Sequence, residues 1–269
     1  MLLHAALHPS RPLFGQGKLH KLAEGLSSSG NRWSRCFSRS PPRPSPRELL
    51  RDRFETLVAS AKSSRALQEL LEEREEDNTP VATKIEWESP LRILQYPDPR
   101  LRAVNAKVGV FDDSLRRLTE EMFELMYQDD GVGLAAPQVG VNLRLMVFNE
   151  TGDPTRKDKE LVLANPVVVQ MGGGKEVSEE GCLSFPQIYA DIVRPVKVKV
   201  RAQNVTGKKI LMQLMDFPAR IFQHEFDHLQ GTLFHDRMDP KVLDSVRGEL
   251  VALEEAYLQQ HPGAAIRRL

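Results

Sequence analysis

Between residues 113 and 126 the apolar side chains Leu115, Leu118, Met122, Leu125 and Met126 recur three or four positions apart, with charged residues between them. That spacing predicts an amphipathic helix, with Asp112 or Asp113 placed to cap its start and Asp130-Gly131 to stop it. The period then changes. From Leu143 to Met215, β-rich runs are separated by turn chemistry. Leu145–Phe148, Leu161–Ala164, Val167–Val169 and the alternating Val196-Lys197-Val198-Lys199-Val200 are expected strands. Thr151-Gly152-Asp153-Pro154, Gly172–Gly174 and Asn204-Val205-Thr206-Gly207 are expected turns. Two helices should follow, one from about Pro218 to Leu229 with Gly231 as its closing glycine, the other from about Pro240 to His261. A helix, then strands, then two helices imply an α+β architecture and not an alternating βαβ one.

Upstream the texture differs. Leu50, Phe54, Leu57, Val58 and Ala61 recur at helical spacing and the segment ends in the charged run Glu72–Asp77, so residues 48–85 are expected to be a helical or charged linker, with the compact domain at 86–269. Residues 1–47 are rich in Ser, Arg and Pro. They hold eight Lys or Arg against one acid, Glu24, a net of +7 that leaves −7 on the remainder of a chain with no net charge. A basic, acid-poor leader has the composition of an organellar transit peptide, expected to be disordered.

Composition narrows the function. Two cysteines in 269 residues exclude a disulfide scaffold. No apolar run approaches the roughly 20 residues that span a bilayer, so no membrane role is expected. The mildly acidic folded part carries no basic footprint for nucleic acid.

His224-Glu225-Phe226-Asp227-His228 is an HExxH sequence on a predicted helix. Positions four apart share a helix face, so both imidazoles can reach one metal ion, with Glu225 beside them to handle protons. A catalytic metal needs a third protein donor and an open position. Three sources compete. The HExxHxxGxxH pattern has its Gly231, but Phe234 stands where the histidine belongs and His235 comes one residue late. A later helix offers Glu249, Glu254 and Glu255, which would make the chain a zinc endopeptidase. Cys182, the one thiol of the main domain, lies in Glu180-Gly181-Cys182-Leu183-Ser184 between strand-like segments. Separately, Gly131-Val132-Gly133-Leu134-Ala135-Ala136-Pro137-Gln138 makes a shaped loop after the first helix. It lacks the third Gly and the Lys of nucleotide-binding loops.

Taken together, Gly131–Gln138, Glu180–Ser184 and His224–His228 resemble the GxGLAAPQ, EGCLS and HExDH motifs of peptide deformylases, in the same order and at similar separations. The flavour is that of the bacterial-like enzymes of plant and algal plastids, and the resemblance runs from about Ser89 to Tyr257. It implies antiparallel sheets packed around a central HExxH helix, with a C-terminal helix. It implies hydrolysis of the N-formyl group from the initiator methionine of nascent, organelle-made polypeptides, with release of formate. Cys182, His224 and His228 would be the metal ligands, and the ion ferrous iron (Fe2+), with Zn2+, Ni2+ or Co2+ able to replace it. Glu225 would be the general acid and base, and the Gln138 side chain and Leu183 N–H would stabilise the oxyanion. Substrate would lie along the edge formed by Gly131, Val132 and Gly133. Its methionine would meet Val132, Phe217 and Ile221, the last two on the metal-facing side of the helix, where ordinary core is an equal reading; Arg220 in the same stretch would point outward. Glu180 would form an ion pair with Arg194. The expected location is the plastid stroma, or alternatively the mitochondrion, with transient contact to the organellar ribosome. A partner-binding relic would have lost Glu225, Gln138 or a ligand, and all are present.

Overall fold

A computed structural model of the protein describes residues 79–269; the leader and the helices expected at 48–77 lie outside the described residues. The described residues include a strand upstream of Glu86. Strand β1 (Val81–Ala82) pairs in parallel with β2 (Lys107–Val108), and Ile85 is buried. The pairing partner lies 26 positions downstream, so nothing local marks this strand.

Helix α1 (Asp113–Gln128) starts at Asp112, whose carboxylate accepts from the Ser114 and Leu115 N–H groups. Its Leu115, Leu118, Met122 and Met126 are buried against Leu134, Leu145 and Val147 of the main sheet. That sheet is antiparallel and five-stranded, in the order β3 (Gly133–Ala135), β4 (Leu145–Phe148), β5 (Leu161–Cys182), β6 (Phe185–Gln203), β7 (Lys209–Met215). Strand β3 is therefore an edge.

Strands β5 and β6 form one long hairpin, closed by the two-residue turn Leu183-Ser184 between the paired Cys182 and Phe185. The turn expected at Gly172–Gly174 is instead a bulge inside β5. Pairing runs through Gly172↔Lys197 and resumes at Lys175↔Pro195, while Gly173 and Gly174 sit at φ +77° and +83°. Positive φ at two glycines reads locally as a hairpin turn, whereas here it absorbs one extra residue against a partner strand.

Helix α2 (Asp216–Leu229) follows β7 directly and packs on β3, β4, β6 and β7. Nearly its whole circumference from Ala219 to Glu225 is buried, so it is the central helix of the domain. Gly231 at φ +67° lets the chain leave the helix, and the Asn105 side-chain amide donates to the terminal carbonyls of His228 and Leu229. The last expected helix is broken in two, α3 (Pro240–Ser245) and α4 (Arg247–Gln260), because Ser245-Val246 joins two weak helix formers and the backbone bends there. Leu250 and Glu254, one turn apart, are the buried residues of α4. Leu250 joins Tyr96, Cys182, Phe185, Leu233 and Phe234 in an apolar cluster that covers the hairpin end.

Candidate active site

The hairpin end and α2 bring the chemistry together. Donor atoms of Cys182, His224 and His228 all lie within 4.8 Å of one another, and all three side chains are buried. Cys182 Sγ is 3.3 Å from His228 Nε2. His224 Nδ1 is 3.0 Å from Glu180 Oε2, an oxygen that accepts, so Nδ1 carries the proton and Nε2 keeps its lone pair for a cation. One sulfur and two imidazoles converging in a buried space suit a borderline-soft divalent metal, so the donor set fits the ion that the motifs imply. Burial opposes charge on His224, but the Cys182 sulfur and Glu180 outweigh it and raise its pKa well above the ordinary value, so a cation would bind at Nε2 in place of a proton. Burial, with the charges of His224 and Arg194, pushes His228 well below it.

The other candidate third donors are engaged or remote. His235 packs edge-on to Tyr96 and tilted against Phe185, with Nε2 3.2 Å from the Arg102 guanidinium. Glu254 accepts from the Tyr96 phenol, and Glu249 and Glu255 are exposed.

Behind His224 stands an ionic network. Arg194 is bidentate to Glu180, with Nε to Oε1 at 2.7 Å and Nη2 to Oε2 at 3.0 Å. Arg194 Nη1 reaches Asp227 at 2.8 Å, and Asp227 is held from outside by Arg237. Arg220 does not point outward. It is buried, and its Nη1 donates to Glu180 Oε1 at 2.7 Å and to the Ile192 carbonyl at 3.0 Å. Reading the sequence alone missed this second arginine and Asp227. Spacing carried the signal, since Arg220, His224 and Asp227 at i, i+4 and i+7 share one face of α2. Burial alone would raise Glu180; its bonds to His224 and Arg194 hold it well below the usual carboxylate range.

Glu225 is placed differently. Its Oε2 is buried with no hydrogen-bond partner among the described residues, and burial pushes its pKa up to about 7. Strand β3 runs against it. A Cβ on Gly133 would lie 2.5 Å from Glu225 Oε1 and 2.9 Å from Ile221 Cγ2, so only glycine fits. Gln138, in the 3-10 turn Ala136–Val139, accepts from the Ala135 N–H through Oε1. This fixes its amide so that Nε2 faces Ser184 Oγ at 3.3 Å and Cys182 Sγ at 3.6 Å. Leu183, in the hairpin turn, is buried beside them. Val132 and Ile221 are buried in one apolar cluster against which the half-buried Phe217 packs.

A buried thiol–imidazole set, a carboxyl poised near neutrality and an amide beside the thiol can activate water and stabilise an oxyanion. The comparisons agree. The family model for polypeptide deformylase matches residues 90–243. The chloroplastic/mitochondrial peptide deformylase 1B of Arabidopsis thaliana is 51% identical over 184 residues, 68% of this chain and 67% of that protein. Its chloroplastic counterpart from Oryza sativa is 55% identical over 183 residues, 68% of each chain. A crystal structure of the plant peptide deformylase PDF1B matches with a TM-score of 0.67 and 49% identity, covering 69% of this chain and all of that one. A Plasmodium falciparum peptide deformylase matches at 0.62 and 40%, covering 63% and 99%. With fold, motifs and site in agreement, the chain belongs to the peptide deformylases, metal-dependent hydrolases that remove the formyl group from the first methionine of nascent polypeptides.

Proposed function

We propose that this deformylase works in the plastid stroma on chains emerging from the organellar ribosome, with ferrous iron held by Cys182, His224 and His228. The observation that carries the ligand assignment is the convergence of those three buried donors. The choice of iron over zinc, nickel or cobalt rests on the resemblance to the family. The stromal location rests on the basic leader and on relatives named chloroplastic.

A bound cation would supply Lewis acidity, lowering the pKa of water near the formyl carbon. Glu225 takes the proton from the attacking water and returns it to the leaving amine; a carboxyl near pKa 7 suits both transfers. A C–O bond forms, the C–N bond breaks, and formate leaves a free amino terminus. Gln138 Nε2–H and the Leu183 N–H donate to the oxygen that gains charge. The edge of β3 takes the peptide main chain as an added strand, with the methionine side chain against Val132, Phe217 and Ile221. Contact with the ribosome is transient.

The test is formate release from formyl-Met peptides by protein purified without oxygen, with metal analysis alongside. Cys182→Ser should lose both metal and turnover; retention of both would refute the ligand set. A fluorescent fusion of residues 1–80 should enter plastids, and a cytosolic signal would refute the location.

A further inference from the structure

We propose that Tyr96 and Glu254 are a positioning pair that aligns the two oxyanion donors from behind, through a strap formed by residues 94–96. This rests on the roles given to Gln138 and Leu183 in the preceding section. The strap crosses both loops that carry them. Leu94 N donates to the Gln138 carbonyl at 2.7 Å, and Tyr96 N donates to the Ser184 carbonyl at 2.8 Å. The two donors are only two positions apart, so three residues suffice to reach both loops. The loops also meet directly, Gln138 Nε2 to Ser184 Oγ at 3.3 Å. Leu183 and Ser184 are the whole of the turn between Cys182 and Phe185, so holding the Ser184 carbonyl holds the turn that aims the Leu183 N–H.

What holds the strap is Tyr96. Its ring stacks on Phe185 with centroids 4.9 Å apart, and its phenol donates to Glu254 Oε1 at 2.5 Å, 158 positions along the chain. Both groups are buried. Burial and the Glu254 carboxylate raise the phenol above its ordinary pKa, so it remains the donor. A buried carboxylate and a buried phenol each cost free energy unless paired, which makes this bond a fixed point and not an incidental contact. Glu254 Oε1 also accepts from the Leu269 N–H at 3.0 Å. Neither Tyr96 nor Glu254 is a donor to the reacting atoms. Their effect would pass through Ser184 and the strap, and oxyanion donors act only when preorganised.

Three variants of the metal-loaded enzyme test this, assayed well below the unfolding temperature. Tyr96→Phe keeps the stacked ring and removes the phenol oxygen. Glu254→Ala removes the acceptor, and Glu254→Gln keeps one. Tyr96→Phe and Glu254→Ala should each lower kcat on a formyl-Met peptide about tenfold, with KM and metal content unchanged. Glu254→Gln should recover most of that loss, and the double variant Tyr96→Phe/Glu254→Ala should be no slower than either single one. Wild-type kcat in both singles, with only the melting temperature lowered, would overturn the proposal, as would a raised KM at constant kcat. Gln138→Ala, run alongside, separates the two readings. Normal turnover there would overturn the oxyanion assignment and the strap with it; slow turnover there with a normal Tyr96→Phe would overturn the strap alone. Should Tyr96→Phe not fold, the comparison of Ala with Gln at 254 decides.

Discussion

Glu180 and Glu225 are both buried in the same site, one at the end of a strand and the other on the central helix. Around Glu180 every oxygen is taken: Arg194 twice, Arg220 once and His224 once. Around Glu225 one oxygen has no partner, and the other lies where a Cβ on residue 133 would intrude, a space that Gly133 leaves open. The first carboxyl is held well below its ordinary pKa and the second is pushed up to about 7. The two surroundings suit different work. A carboxylate saturated with cations orients a ligand and keeps its charge at any physiological pH. One left at the margin of ionisation can exchange protons. Side-chain identity is common to both, and environment alone sets them apart.

The largest test of that contrast is Glu225→Ala. It should keep the metal and lose roughly 10²–10⁴ in turnover; a metal-free protein or near-normal kcat would mean that Glu225 is a ligand or a bystander. Next, Arg194→Ala strips Glu180 and Asp227 of a shared partner inside the protein. Breaking a buried pair costs about 3–5 kcal/mol, roughly 10 °C in melting temperature for a domain of this size. An unchanged melt would show that Arg220 and Arg237 carry the network without it. Gly133→Ala probes the other side. Its Cβ would meet Glu225 Oε1 at 2.5 Å, so kcat should fall about tenfold with metal retained. Normal kcat would show that β3 yields and that Glu225 needs no such confinement. Smallest is Arg247→Ala, which breaks the exposed pair with Asp244. Its stability should fall by less than about 0.5 kcal/mol, the measure of an ion pair in water against one in the core.

Much of this was legible in the sequence, for physical reasons that differ by region. The α1 face is visible because Leu115, Leu118, Met122 and Met126 repeat a period that only a helix satisfies. The HExxH pair is visible because its geometry is local. The β5–β6 hairpin is less so: Gly172–Gly174 carry turn chemistry, and only strand pairing with Pro195 and Lys197 makes them a bulge. Arg220 hides because one arginine on an amphipathic helix ordinarily faces solvent, and its partner Glu180 lies 40 positions away. Tyr96 and Asn105 hide more completely. Their importance lies in contacts with residues 158 and more than 120 positions distant, and neither spacing nor composition reports such meetings.

The same distance has a thermodynamic consequence for the donor set. Cys182 and His228 are 46 positions apart and meet only when the hairpin end docks on the central helix. An unfolded chain therefore offers a cation at most the two histidines of the helix segment, while the native state offers all three donors. Any ion bound there binds the folded form preferentially, and its affinity is transferred to the fold by mass action, growing with the logarithm of free metal. The site and the domain are thus linked equilibria. Scarcity of the ion in the compartment would loosen the protein as well as silence it, and a chelator would act as a mild denaturant.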